Sequence, residues 1–163
     1  MAYLRKLREW IEKNGSKNVV YCDESGFNAQ STRPHGWAKR GIKVHGLVTG
    51  NAKAGRINLI MAQRKGEWLA PMLFNRSCTH HTVNAWVEQA LLKELKPNSL
   101  IIMDNAPVHN KSYLKALFEQ HGHTFMPLPK YSPDFNPIEQ SFGVIKRIRQ
   151  FSNQTIEHII MSH

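Results

Sequence analysis

Two short apolar runs, each followed by an aspartate, constrain the fold of this chain more than any other feature. The run "NVVYCDES" (18–25) reaches Asp23, and the run "SLIIMDN" (99–105) reaches Asp104. Short runs that are rich in β-branched and aromatic residues predict buried strands. In open α/β sheets, functional groups collect where the strands end. If these two strands are neighbours, their carboxylates will lie close together at one rim of the sheet.

The rest of the hydrophobic pattern predicts an α/β fold with a mixed central sheet. Residues 42–74 contain three strand-like segments separated by glycine-containing turns, which indicates an antiparallel meander: "IKVHGLVT", "RINLIMAQ" and "GEWLAPMLF". Helical spacing of apolar residues follows in 79–95, 111–120 and 136–151, and "HTFMPLP" is one more short strand. A meander followed by alternating helices and strands is typical of a mixed sheet flanked by helices.

The length of 163 residues indicates one main domain, which we expect to span residues 18–163. Residues 1–17 fit an N-terminal helix or the remnant of a linker, with four apolar residues on one helical face: Leu4, Leu7, Trp10 and Ile11. Cys22 and Cys78 form no CxxC pair, which favours a reducing cytoplasm. No apolar run approaches the ~18 residues of a membrane span, so no membrane partner is expected.

The charge is unevenly distributed along the chain. The formal net charge is +10, and no acidic residue lies between Glu24 and Glu67. That interval contains eight basic residues: Arg33, Lys39, Arg40, Lys43, Lys53, Arg56, Arg64 and Lys65. A basic block without acids suits a polyanion, most plausibly nucleic acid. The alternative is a solvated surface that serves solubility, although such surfaces more often mix both signs.

A third acid follows a segment crowded with turn-forming residues. In "YSPDFNPIE" (131–139), two prolines lead into a helix whose first turn carries Glu139. If Glu139 joins Asp23 and Asp104, three carboxylates repel each other, and desolvation costs several kcal/mol per unpaired buried ion. A cation among them would relieve this repulsion. Hard oxygen ligands select Mg²⁺ or Mn²⁺, and two such ions ~3.5–4 Å apart support in-line phosphoryl transfer.

Each of these acids has a rival or a simpler explanation. Glu24 is the rival of Asp23, but strand alternation sends the two side chains to opposite faces, and Asp23 directly follows the apolar run. Asp134 is the rival of Glu139, but its position between two prolines fits a turn residue. An aspartate at a strand end is commonly a cap, and Glu139 also suits the positive end of a helix dipole. The hypothesis therefore depends on the three acids together.

Four segments resemble the catalytic domain of DDE transposases, in the bacterial insertion-sequence branch of the mariner superfamily: "YCDESGF", "RPHGWAKRG", "IIMDNAPVH" and "LPKYSPDFNPIEQSFGVIK". The resemblance covers residues 18–150, and the 34 residues between Asp104 and Glu139 (105–138) are similar to the spacing of that branch. It implies a ribonuclease H-like fold and a catalytic triad of Asp23, Asp104 and Glu139 that binds two Mg²⁺ ions.

The resemblance also implies a reaction and its partners. Water attacks at the transposon end, and the freed 3′-hydroxyl then attacks target DNA, typically at a TA step. A homodimer on DNA is implied, in a bacterial, nucleoid-associated setting. Members of the family usually carry an N-terminal helix-turn-helix region. Residues 1–17 are too short for one, so we expect a separate N-terminal DNA-recognition polypeptide or a chain that is one part of a larger transposase.

Further residues are candidates for supporting roles. Asn105, His109 and Asn136 match positions near the family's active site, although His109 could equally be a structural histidine. Two groups are predicted to contact DNA: Arg33, Trp37, Lys39, Arg40 and Lys43 in the basic block, and Lys146, Arg147 and Arg149 on the last long helix. Trp37 could stack on a base or simply pack in a hairpin. Alternative functions are a nuclease that cuts without joining and a catalytically silent DNA-binding module.

Overall fold

A computed structural model describes residues 2–28, 56–152 and 154–163. Its described strands form one five-stranded sheet in the order β3-β2-β1-β4-β5. They are β1 (Val19–Asn28), β2 (Arg56–Arg64), β3 (Glu67–Phe74), β4 (Leu100–Met103) and β5 (Thr124–Pro127). β1, β2 and β3 pair antiparallel, whereas β4 pairs parallel with both β1 and β5. The predicted mixed α/β sheet is therefore confirmed.

Apart from a short C-terminal helix, the helices fall where the apolar spacing predicts them. They are α1 (Ala2–Asn14), α2 (His80–Trp86), α3 (Leu92–Glu94), α4 (Lys111–Gln120), α5 (Ile138–Ser152) and α6 (Ile156–Met161). A π-helical turn, Val87–Leu91, joins α2 to α3 in one continuous segment. Side-chain caps fix three of the starts, because Thr79, Asn110 and Thr155 each accept a hydrogen bond from a backbone N–H of the first turn.

The first strand is longer than the sequence indicated. We expected it to end at Asp23, but β1 continues to Asn28, so Asp23 lies in mid-strand. The apolar run ends at Cys22 because parallel pairing with β4 ends there, at the pair Cys22–Met103. Beyond that point β1 is held on its other side by β2, whose register runs from Tyr21–Gln63 to Asn28–Arg56. Because this half of β1 pairs with β2 alone, it accommodates the polar residues that suggested the end of a strand in the sequence.

Helices cover both faces of the sheet. On one face, α2, the π-helical turn and α4 pack on residues of all five strands in a cluster that includes Trp86, Phe118 and Ile101. On the other face, α5 and α6 pack against β1 and β2 through Phe142 and Ile159. Asp23 and Glu24 are consecutive in β1 and therefore point to opposite faces.

The N-terminal helix packs on the sheet with a different set of residues from the one predicted. Tyr3, Leu7, Trp10 and Ile11 contact a cluster that contains Val19, Leu100 and Ile102. Leu4, assigned to this face from the sequence, is 38% exposed. The positions 3, 7, 10 and 11 follow the i, i+4, i+7, i+8 spacing of a helical face, and Tyr3 supplies its first member.

Several predictions concern residues 29–55, which lie outside the described residues. They are the strand "IKVHGLVT" and the DNA contacts Arg33, Trp37, Lys39, Arg40 and Lys43. Within the described ranges, no helix combines the length and the apolar character required to cross a bilayer.

Candidate active site

The strand register places Asp23 beside Asp104. Cys22 of β1 is paired with Met103 of β4, and each aspartate is the next residue along its chain. Parallel neighbours run in the same direction, so the two carboxylates leave the sheet at the same rim. Asp104 is the first residue after β4, whereas Asp23 continues in β1 opposite Met61 of β2.

The proline-rich segment brings Glu139 to the same place. Pro133–Phe135 form a short 3₁₀ turn, and the Asn136 N–H donates to the Pro133 carbonyl at 2.9 Å. The Glu139 N–H then donates to the Asn136 carbonyl at 3.2 Å as α5 begins. Glu139 stays exposed in the first turn of α5. Asp23, Asp104 and Glu139 thereby line one cleft of about 370 Å³.

The rest of the cleft wall combines amide, basic and aromatic groups. Asn105 and Asn136 line it, so two of the predicted near-site residues adjoin the acids. Lys130 and Tyr131 form part of its rim. Tyr131 is fully exposed, and its φ of 55° lies in the left-handed region. Such backbone conformations in non-glycine residues are concentrated at functional sites.

The surroundings of Asp23 disfavour the ionised form of its carboxyl group. Burial, and then the charges of Asp104, Glu24 and Glu139, raise the pKa of Asp23 to about 7, against the lowering effect of the Glu24 backbone N–H. Both carboxylate oxygens of Asp23 accept hydrogen bonds: Oδ1 from the Glu24 N–H at 2.8 Å, and Oδ2 from Asn136 Nδ2 at 3.0 Å. These two donors fix its orientation toward the cleft.

Behind Asp104 lies an ion-pair chain, centred on the buried His109, that the sequence did not reveal. The His109 ring lies 3.1 Å (Nδ1 to Oδ1) from Asp104 and 3.9 Å (Nε2 to Oε2) from Glu24. Neither ring nitrogen has hydrogen-bond geometry with a described residue, so the contacts are ion pairs. The Cys78 thiol donates to Glu24 at 2.8 Å. Glu24, considered only as a rival of Asp23, is therefore a partner of His109 on the opposite face.

The ion pairs shift the ionisation of their members. Burial lowers the pKa of His109, but Asp104 and Glu24 outweigh it and raise that pKa to about 9. Burial raises the pKa of Asp104, but His109 outweighs it, so the pKa lies below its ordinary value. Contact with His109 likewise lowers the pKa of Glu24. His109 is thus a structural counter-ion in this structure and does not line the cleft.

The donor groups of the cleft fit a hard divalent cation. Asn136 Oδ1 is buried and has no hydrogen-bond partner among the described residues, whereas Asp104 Oδ1 faces His109 at 3.1 Å. The carboxylates of Asp23, Asp104 and Glu139 and the amide oxygen of Asn136 form an all-oxygen set, the type that Mg²⁺ and Mn²⁺ prefer. In the described part of the chain, no three His, Cys, Asp or Glu side chains already form a group that could hold a metal ion.

The predicted DNA contacts on α5 divide into two kinds. Lys146 and Arg147 are exposed, whereas Arg149 is 8% exposed and donates from its guanidinium to the Asn28 carbonyl at 2.7 Å. Arg149 also lies over the Phe27 ring at 5.8 Å. The assignment of Arg149 to DNA is therefore at odds with its placement. Its helical position, seven residues after Phe142 of the buried face, is the signal that could have shown this.

Solved structures with the same fold come from transposition and integration complexes. The "mariner Mos1 paired end complex with Mg" matches with a TM-score of 0.63 at 17% identity, over 88% of this chain and 46% of that one. The catalytic domain of Mos1 mariner transposase matches with a TM-score of 0.61 at 15% identity, over 98% of this chain and 74% of that one. The simian T-cell lymphotropic virus intasome in complex with the PP2A regulatory subunit B56 gamma matches with a TM-score of 0.53 at 13% identity, over 85% of this chain and 43% of that one.

At these identities the likeness establishes the fold, which is ribonuclease H-like as predicted. The chain spans about half of the Mos1 chain in the pre-cleavage transpososome, at 47%. A search of curated protein sequences gives no significant match. The sequence profile of the DDE superfamily endonucleases matches residues 18–159. This is most of the chain, which therefore belongs to the DDE endonuclease superfamily.

Proposed function

We propose that this chain is the catalytic domain of a DNA transposase from the insertion-sequence branch of the mariner superfamily. It would cleave DNA strands and transfer a 3′-hydroxyl end to target DNA. One observation carries this proposal: Asp23, Asp104 and Glu139 come from three separate elements and line the same cleft. Membership of the DDE endonucleases supports a nuclease or transposase activity.

The same three carboxylates would hold the metal. Solved Mos1 complexes are described with Mg and with Mn, and the oxygen donors of this cleft suit either ion. Two bound ions would supply activation of the attacking oxygen and stabilisation of the leaving oxygen in an in-line phosphoryl transfer. The chain's own contribution is orientation, because the Glu24 N–H and Asn136 hold the Asp23 carboxylate in place. His109 holds Asp104 from behind.

Basic groups beside the acidic cleft would bind the DNA backbone. Lys130 lines the cleft itself, and Lys146 and Arg147 lie exposed about two turns beyond Glu139 on α5. A duplex whose scissile phosphate enters the cleft could place neighbouring phosphates near these cations. Arg33, Trp37, Lys39, Arg40 and Lys43 stay predictions for the same role.

The assembly and setting are further parts of the proposal. Mos1 structures include a transpososome and paired-end complexes, and we infer a homodimer on transposon-end DNA for this chain. End recognition would come from a separate N-terminal DNA-recognition polypeptide or region, with residues 18–163 as the catalytic unit. The setting would be the bacterial cytoplasm, at the nucleoid, where the proposed DNA substrate lies.

Nicking and joining of DNA by the purified chain tests this proposal. Plasmid and a duplex oligonucleotide with a free 3′-hydroxyl end are incubated with increasing Mg²⁺ or Mn²⁺, beside the Asp104→Ala variant. Asp134→Ala is the matched control, because Asp134 is an exposed acid of the loop that does not line the cleft. We expect metal-dependent nicking and joining by the wild type and by Asp134→Ala, and neither by Asp104→Ala.

Other outcomes identify the alternatives. Nicking without joining would indicate a ribonuclease H-like nuclease. DNA binding that is equal in the wild type and Asp104→Ala, without cleavage at any metal concentration, would indicate a catalytically silent binding module. Full activity of Asp104→Ala would overturn the assignment of the site.

A further inference from the structure

Asn136 connects two of the three acids, although it is itself uncharged. Its Nδ2 donates to Asp23 Oδ2 at 3.0 Å, across 113 positions of sequence. Its backbone carbonyl accepts from the Glu139 N–H at 3.2 Å. Asn136 also ends the 3₁₀ turn through its own N–H, which donates to Pro133. A single residue therefore ties the strand that carries Asp23 to the helix that carries Glu139.

The other end of the Asn136 amide has no partner of its own. Asn136 is 4% exposed, and its Oδ1 is buried without a hydrogen bond to any described residue. Asn136 is one of the residues that line the cleft. A buried carbonyl oxygen is normally satisfied by a protein group, water or ligand. The residue borders the space shared by Asp23, Asp104 and Glu139, while this oxygen itself is closed off from solvent.

The chemistry of the position calls for an amide. The charges of Asp104, Glu24 and Glu139 already raise the pKa of Asp23. A carboxylate at position 136 would therefore add repulsion and would remove the hydrogen-bond donor to Asp23. An apolar side chain would leave Asp23 Oδ2 without its donor. An amide both donates to the carboxylate and offers a neutral oxygen, which suits a hydrated or directly bound cation.

We propose that Asn136 is a positioning residue for divalent-metal binding, because its NH₂ group holds the Asp23 carboxylate in the orientation in which that carboxylate binds the ion. This inference rests on the proposed function, because it assumes that the acids bind metal. Mutating a group that orients a metal ligand typically weakens metal affinity 10–100-fold. The same contact also sets the distance between β1 and the start of α5.

Equilibrium Mn²⁺ binding without DNA tests the proposal, by electron paramagnetic resonance of free Mn²⁺ and by calorimetry. The full chain is compared as wild type, Asn136→Ala, Asp104→Ala and Asn84→Ala. Asn84 is the matched control, because its Oδ1 is also buried without a partner but lies in α2, outside the cleft. Thermal unfolding in EDTA identifies any variant that fails to fold, and Mn²⁺ binding is measured well below each melting temperature.

We expect Asn136→Ala to bind Mn²⁺ ~10–100-fold more weakly than the wild type, while Asn84→Ala binds like the wild type. Wild-type affinity in a folded Asn136→Ala would overturn the inference and leave the proposed function intact, provided that Asp104→Ala still abolishes binding. Absence of Mn²⁺ binding in the wild type itself would overturn the metal-dependent function and this inference with it. If Asn136→Ala does not fold, Asn136→Leu provides the second variant, because it has a similar shape but neither donates nor accepts a hydrogen bond, and wild-type affinity there has the same meaning.

Discussion

Replacing Asp23 with asparagine should stabilise the metal-free protein. Burial and three neighbouring carboxylates raise the pKa of Asp23 from 3.8 to about 7. At ~1.4 kcal/mol per pH unit, this corresponds to about 4 kcal/mol of unfavourable free energy for the ionised folded state. Asparagine keeps the shape of the side chain and an oxygen for the Glu24 N–H. Rotation of the Asn136 amide would restore its second hydrogen bond.

The pH dependence has a defined sign. Between pH ~4 and ~7 the Asp23 carboxyl holds its proton in the folded protein but has lost it in the unfolded chain. The folded state therefore binds more protons in this window, and wild-type stability falls as the pH rises through it. Asp23→Asn lacks this contribution. The two proteins should have similar stabilities near pH 4, and the variant should be more stable by up to about 4 kcal/mol above pH 7.

Urea unfolding in EDTA at several pH values between 4.5 and 8 measures this difference. Asp134→Asn is the control for the substitution itself, since Asp134 is exposed, and its effect should stay within about 0.5 kcal/mol. The reasoning is refuted if Asp23→Asn is no more stable than the wild type at pH 8. A constant difference across the pH range would show that the effect has another origin.

The ion-pair chain and the basic residues of α5 give two more predictions. His109→Gln should lose most stability below pH ~6.5, and this loss should shrink as the pH rises through about 9, because His109 stabilises the fold only while its ring is protonated. Urea unfolding at several pH values measures the loss. A loss that does not change with pH would contradict the prediction. Arg149→Ala should lose ~1.5–3 kcal/mol of stability through its bond to the Asn28 carbonyl. Arg147→Ala should keep its stability, and it should reduce the slope of the log DNA-binding constant against log salt by ~1. A stability loss in Arg147→Ala together with a changed salt slope in Arg149→Ala would reverse our assignment of the two arginines.

The sheet was predictable because its sequence signals are local. The apolar runs that end near Asp23 and Asp104 are short and strongly β-forming, and each is followed by polar residues. Neighbouring parallel strands then bring the two acids together by register alone. The position of Glu139 in a first helical turn also follows from local signals, namely two prolines and the apolar spacing after them.

The supporting contacts were not predictable, because they depend on residues far apart in sequence. Glu24 meets His109 over 85 positions (109 − 24), and no periodicity encodes such a pair. Arg149 looked like a surface cation because charge suggests exposure, yet the turn of α5 places it against Phe27 and Asn28. The end of β1 was misjudged for the same reason, since β2 supports its polar half only after the chain has folded back.

The acids of the cleft impose a cost on the folded chain that a bound cation would reverse. The unfavourable charge of Asp23 has no nearby basic partner in its hydrogen bonds, which come from a backbone N–H and a neutral amide. A ligand that binds only the folded state adds stability of ~2.7 kcal/mol at a hundred times its Kd. With saturating Mn²⁺ the wild type should therefore recover most of its stability deficit relative to Asp23→Asn, because that variant lacks one of the proposed metal ligands. The same carboxylate would then destabilise the metal-free protein and stabilise the metal-bound one, which is the pattern expected of the proposed metal site.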